Sequence, residues 1–206
     1  MPDKGGGGGG GGGSGGGVGG AGLGVSTRLS LIPNFENPRV LGPSSYTALG
    51  EVLAGTGVTR ASATWPTANL AIFYPFFVTK TDIIRKLYIF NGATASGNVD
   101  IGVYRDDGST ADRVTSNGGS AQTGTSILQE LTCQQLDIPP GLYYLAVAFD
   151  NITATTTRYA LGIYDWKACG VAQMASAYPL PKLATLAAVA NDYLPFAGIG
   201  FRSLVV

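Results

Sequence analysis

Hydrophobic and polar positions follow two regimes along this chain, and the change falls near Asn69. From there onward the pattern repeats every second residue, the period of a strand. Ala71–Val78 (AIFYPFFV) is aromatic and interrupted by Pro75, which suits an edge strand or a bulge. Ile83–Asn91 and Val99–Arg105 follow. In the second of these Val99, Ile101 and Val103 share one face while Asp100, Gly102 and Tyr104 take the other. Asp106-Asp107-Gly108-Ser109 has turn chemistry. Ser126–Cys133 reads as a further strand, and Pro139-Pro140-Gly141 is a turn launching Leu142–Asp150, the strongest strand of the chain. Arg158–Asp165 and Pro195–Arg202 complete the set. Residues 171–190 are rich in alanine and suit a helical turn or two, interrupted by Pro179 and Pro181. Short strands separated by Gly, Asn, Asp and Pro turns, without amphipathic helices between them, predict an all-β antiparallel sandwich or jelly roll over residues 69–206.

The regime before Asn69 is different. Of the chain's 32 glycines, 16 fall within the first 24 residues, without the G-X-Y period of collagen. Residues 1–24 are therefore a glycine-rich arm, with Gly5, Gly6, Gly7, Gly8 and Gly9 opening its longest run. As a coil, twenty such residues span about 25 Å root-mean-square. Fixing them costs roughly 20–40 kcal/mol of backbone entropy, so an ordered arm requires neighbouring copies or a larger assembly around it. Both readings, flexible spacer and packed arm, stand. Residues 25–68 carry Pro33, Pro38, Pro43 and Pro66 and read as an extended connecting arm, in which Tyr46–Leu53 is a short helix or extended chain.

Charge narrows the function classes. Lys+Arg and Asp+Glu balance at 13 each, so no long-range field gathers nucleic acid or an anionic membrane. No run of about 18 apolar residues exists to span a bilayer, and glycine rather than an apolar stretch follows Met1–Lys4. The expectation is a chain made in the cytoplasm, with no nucleic-acid partner and no membrane insertion. Arg85-Lys86 beside Tyr88 and Phe90 is a faint hint of nucleic-acid binding, and it reads better as the solvent face of a strand.

Candidate chemistry is thin. Histidine is absent, which removes the commonest general base and zinc ligand, and no G-x-S-x-G elbow or phosphate-binding glycine loop appears. The expectation is no enzyme and no cofactor. A carboxylate pair for glycoside hydrolysis is a matter of spatial spacing, but Asp100, Asp106, Asp107, Asp112, Asp150 and Asp165 fall mostly at strand ends, where turns favour Asp. Asp106, Asp107 and Asp112 in one loop are weak calcium candidates, set against plain turn chemistry. Cys133 and Cys169 read as buried or unpaired thiols rather than a bridge. Among the aromatic residues Tyr104, Tyr143, Tyr159 and Trp166 are candidates to face outward, on a subunit interface or stacked on the sugar rings of a host surface glycan.

Four segments carry a resemblance: Tyr74–Val78 (YPFFV), Leu87–Phe90 (LYIF), Val99–Asp107 (VDIGVYRDD) and Leu136–Phe149 (LDIPPGLYYLAVAF). This part of the chain, roughly residues 70–150, resembles C-terminal β-sandwich modules of tailed-bacteriophage virion proteins, found on tail fibres, spikes and head fibres and often following glycine-rich stalks. The resemblance implies a non-enzymatic structural protein located on the virion, a fibre or decoration component. It implies anchorage through the arm at Gly5–Gly9, contacts with other virion proteins and self-association as a homotrimer. The alternative is a carbohydrate-binding adhesin module whose tail is a flexible spacer.

Overall fold

The computed structural model describes residues 46–48, 60–78, 81–108, 110–159, 167 and 170–200. Every element among them is a strand, and every pairing is antiparallel. The fold is all-β, as the alternation predicts. Its centre is a three-strand run of β3 (Ala71–Val78), β9 (Gly141–Phe149) and β5 (Asn98–Asp106). β9 pairs with β3 from Ala71↔Ala148 to Val78↔Gly141, and with β5 from Val99↔Phe149 to Arg105↔Tyr143. Outward from β5 lie β6 (Ala111–Ser116) and β12 (Leu183–Ala184), with β7 (Ser120–Ala121) paired to the start of β5. Outward from β3 lie β11 (Ala172–Met174) and β13 (Ala187–Ala188). The two edge strands of this sheet, β12 and β13, are separated in the chain by Thr185 and Leu186 alone. A two-residue step joins opposite edges only if the sheet curls back on itself, and so the large sheet is a curled half-barrel.

Curling buries both faces. On the convex side, Ile72, Tyr74 and Phe76 of β3, Val99, Ile101 and Val103 of β5 and Leu145, Val147 and Phe149 of β9 enter the main core. Across that core stand a four-stranded sheet and a three-stranded one. The first runs β1 (Tyr46–Ala48), β15 (Ala197–Gly200), β4 (Asp82–Phe90), β8 (Leu128–Ile138); the second runs β14 (Leu194–Pro195), β10 (Thr155–Tyr159), β2 (Arg60–Thr64). Leu87 and Ile89 of β4, Leu131 and Cys133 of β8, Ile199 of β15 and Leu194 of β14 fill the shared interior. This is the sandwich. On the concave side Phe73, Tyr104, Tyr144, Ala146 and Ala148 make a second cluster with Ala177, Leu180 and Ala184. Small side chains at Ala146 and Ala148 leave room there for a strap of chain, Ala177–Lys182, to lie against the sheet. Burying apolar surface on both faces at about 25 cal/mol per Å² is the main favourable term of such a fold.

Two expectations change. Residues 171–190 are not helical where described: they form β11, β12, β13 and the strap, and their alanines are spacers inside a curled sheet rather than a helix face. The folded unit also begins before residue 69. β2 pairs along its full length with β10, and Trp65 is buried against Phe149 and Tyr193 at 4.9 and 5.2 Å between ring centres. Within Tyr46–Leu53 the described residues are strand β1, paired with β15 from Tyr46↔Gly200. Pro75 sits as expected of an edge position: β11 covers β3 only from Ala71 to Phe73, so Pro75 lies past the end of that neighbour.

Candidate functional site

Both sheet faces being covered overturns the outward placement of two aromatics. Tyr143 is in the main core, stacked on Phe76 at 5.7 Å, with its hydroxyl donating to Pro139 O at 2.8 Å. Tyr104 is wholly buried in the concave cluster, edge-on to Phe73 at 5.2 Å, and donates to Pro181 O at 2.5 Å. Burial drives the Tyr104 hydroxyl far above the ordinary phenol range. Neither ring is available to a sugar. Tyr159 has its backbone in β10, opposite Leu194 and Arg60; its side chain, and Trp166, Asp165, Cys169 and Gly5–Gly9 altogether, lie outside the described residues.

Two of the three candidate calcium aspartates are turn residues. Asp106 Oδ1 accepts from Gly108 N at 2.9 Å, where Gly108 takes φ +98°, and Asp107 Oδ1 accepts from Thr110 N at 2.8 Å. Asp112 lies apart from both, exposed on β6 opposite Arg105 and Leu183. Among the described residues no group of three or more His, Cys, Asp or Glu side chains is placed to hold a metal. Arg85 is engaged by Gln135 at 3.0 Å, Tyr88 is buried and Phe90 packs on Phe196, so this stretch does not present alternating basic and aromatic side chains. Cys133 is a free thiol in the core, its pKa raised by burial.

What the fold does bring together is a carboxylate clamp on the strap. Asp100, on the concave face of β5, is completely buried; Oδ2 accepts from Leu180 N at 2.9 Å and Oδ1 from Gly118 N at 3.2 Å. Arg113 on β6 donates through Nη1 to Leu180 O and through its backbone N to Lys182 O at 2.8 Å. With Tyr104 on Pro181 O, three side chains hold Leu180 and Pro181, and the Arg113 backbone holds Lys182. Desolvation raises the Asp100 pKa above the usual carboxylate value, against the opposing hydrogen bonds and the Arg113 charge. Gly102 belongs to the same device, because a Cβ there would stand 3.0 Å from both Leu180 Cδ1 and Thr115 O. The clamp orients backbone and leaves no acid–base pair open to a substrate.

A second polar set ties the loops at one end of the sandwich. Asn91 Nδ2 donates to Thr123 O, Gly124 O and Gln129 Oε1 at 2.7, 3.0 and 3.0 Å. Gln122 Nε2 donates to Asn91 Oδ1 and Thr155 O at 3.0 and 2.8 Å. Asp150 accepts from Asn98 N and Nδ2 at 2.9 and 2.7 Å and from Asn151 Nδ2. These bonds overcome its desolvation and hold its carboxyl below the ordinary carboxylate range. Sequence reasoning missed Arg113, Asn91, Gln122 and Gln129. The signal within reach was the pair of Asn-Gly steps, Asn91-Gly92 and Asn117-Gly118, which mark turns that need fastening. Neither set resembles a catalytic constellation, and both fasten main chain.

No family model matches the chain, and no curated protein or solved structure matches it.

Proposed function

We propose that this chain is a non-enzymatic structural protein of a bacteriophage virion, a fibre or decoration component anchored through its glycine-rich arm and displaying the β-sandwich on the particle surface. The observation that carries the reading is the position of the motif residues. YPFFV lies in β3, VDIGVYRDD runs along β5 and the turn after it, and LDIPPGLYYLAVAF spans the end of β8 and all of β9, so the shared pattern is the paired centre of the sheet. At its glycine, Gly102, a Cβ would stand 3.0 Å from Leu180 Cδ1 of the strap, too close for a side chain without a shift. A pattern built of core and turn residues is one of architecture, which is what a display module needs. The sugar-binding alternative would rest on Tyr159 and Trp166, since Tyr104 and Tyr143 are interior. Purified particles probed with an antibody against residues 69–206 test the proposal. Regular labelling of the intact virion surface is expected; label confined to the soluble fraction, with bare particles, rejects it.

A further inference from the structure

The two Asn-Gly steps, Asn91-Gly92 and Asn117-Gly118, share a chemical property. With no Cβ to shield it, a glycine amide nitrogen can reach the side-chain Cγ of the asparagine before it. Every atom of the succinimide ring that would close belongs to that pair, so no other element has to travel. The fold treats the two steps differently. Asn91 is completely buried, and its Nδ2 is shared among Thr123 O, Gly124 O and Gln129 Oε1. Gly92 N donates to Thr155 O at 2.9 Å, a carbonyl that is no base. A Cβ on Gly92 would stand 2.3 Å from Ser62 Oγ and 2.5 Å from Thr155 Oγ1, which leaves no room for water.

Asn117-Gly118 lies in the turn between β6 and β7, with Asn117 half-buried and Gly118 exposed. The space where a Gly118 Cβ would stand is open. Gly118 N donates to the carboxylate of Asp100 at 3.2 Å, and to Ser116 Oγ at 3.2 Å. Asn117 Oδ1 accepts from Ile101 N at 2.5 Å. Its Nδ2 donates to Val99 O and Ser120 Oγ at 3.0 and 3.1 Å.

We infer that Asn117-Gly118 is a site of self-modification in the folded protein, where the asparagine side chain cyclises and is hydrolysed to aspartate or isoaspartate. Each contact matches a step. Asp100 takes the Gly118 N–H proton as general base. Desolvation, which raises its pKa, makes the ionised carboxylate the stronger base. Gly118 N then bonds to Asn117 Cγ, and the negative charge gathering on Oδ1 is met by Ile101 N. The Cγ–Nδ2 bond breaks. Nδ2 leaves as ammonia with a proton passed on by the Ser120 hydroxyl, which solvent restores, and Asp100 returns its own proton to solvent. Water opens the ring at either carbonyl, and nothing is oxidised or reduced. The product sets a second carboxylate beside Asp100, where like charges repel, so modification loosens the strap clamp. The inference is independent of the virion reading.

Peptide mapping by mass spectrometry, on the full chain after prolonged warm incubation at neutral pH, reads conversion at both sites. In the folded protein Asn117 is expected to convert at least about tenfold faster than Asn91, whereas in urea the two should convert alike. Asp100→Asn should slow conversion at Asn117 by about tenfold or more. That variant is destabilised, and Asn91 in the same sample reports any unfolding. Ser120→Ala, which leaves the strap clamp intact, should also slow Asn117. Conversion of Asn117 in urea but not in the folded chain overturns the inference, because the hydrogen bonds then guard the side chain. Equal conversion of the two asparagines in the folded chain overturns it as well, as does an Asp100→Asn rate equal to wild type.

Discussion

Asp100→Asn tests the strap clamp with the least disturbance of shape. The carboxylate accepts from the buried Leu180 N and from Gly118 N, an exposed group that also donates to Ser116 Oγ, whereas the amide has one acceptor oxygen and turns an NH2 toward the other donor. A buried donor left without an acceptor costs about 1–3 kcal/mol. For a folded unit of 150–250 residues each kcal/mol lowers Tm by about 2–4 °C, so a fall of about 2–12 °C is expected at mildly acidic pH. Asp100→Ala strips Leu180 N of its acceptor while Gly118 N keeps Ser116 Oγ, and should cost at least as much. The pH dependence has a definite sign. The folded-state pKa of Asp100 is raised above 3.8 by desolvation, so its stabilising contribution is complete below 3.8 and is lost as pH rises through the raised value. Asparagine does not titrate, and Asp150, whose lowered pKa acts in the opposite direction, is common to both proteins. The stability gap between wild type and Asp100→Asn should therefore narrow as pH climbs from 4 toward 8. Urea unfolding followed by tryptophan fluorescence, read at several pH values, measures that gap. A gap that widens with pH would show that the ionised carboxylate stabilises the fold, and the desolvation argument would be refuted.

Trp65→Ala removes a ring buried among Phe149 and Tyr193 and an indole bond to Leu70 O of 3.0 Å, and should lose about 3–5 kcal/mol in denaturant titration. Gly97→Ala introduces a Cβ 1.8 Å from Asn151 Nδ2 at φ +61°, and should destabilise by at least about 1 kcal/mol; a neutral result would count against the packing of Gly97 on the Asp150–Asn151 turn. Bacterial polysaccharide incubated with the purified protein should show no new reducing ends. Turnover abolished by substituting Asp100, Asp106 or Asp150 would overturn the non-enzymatic reading.

The strands were legible because their signal is local. Val99, Ile101 and Val103 do share one face, Pro75 does fall beyond a neighbouring strand, and Asp106-Asp107-Gly108 does turn. Two-sided burial was not legible. Alternation places Tyr104 opposite Val103 correctly but cannot say that a strap 77 residues away covers that second face. The same limit misled the reading of residues 171–190, where alanine serves the inside of a curled sheet as readily as it serves a helix. β2 escaped notice because RASAT carries little hydrophobic signal and is held by pairing with β10. The clamp and the amide network join residues far apart in the chain, so no spacing in the sequence announces them.

Glycine's role in the arm is the point on which the account turns, and substitution separates flexibility from close packing. Gly/Ser chains behave alike as coils, so replacing several residues among Gly5–Gly13 with serine preserves a spacer. In a packed bundle or channel each added side chain forces backbones apart, as it does at the collagen axis. The measurement is occupancy of the Gly→Ser chain on assembled particles, set beside its melting temperature in solution. Lost occupancy at an unchanged melting temperature is expected. Normal occupancy with a serine-rich arm would contradict it.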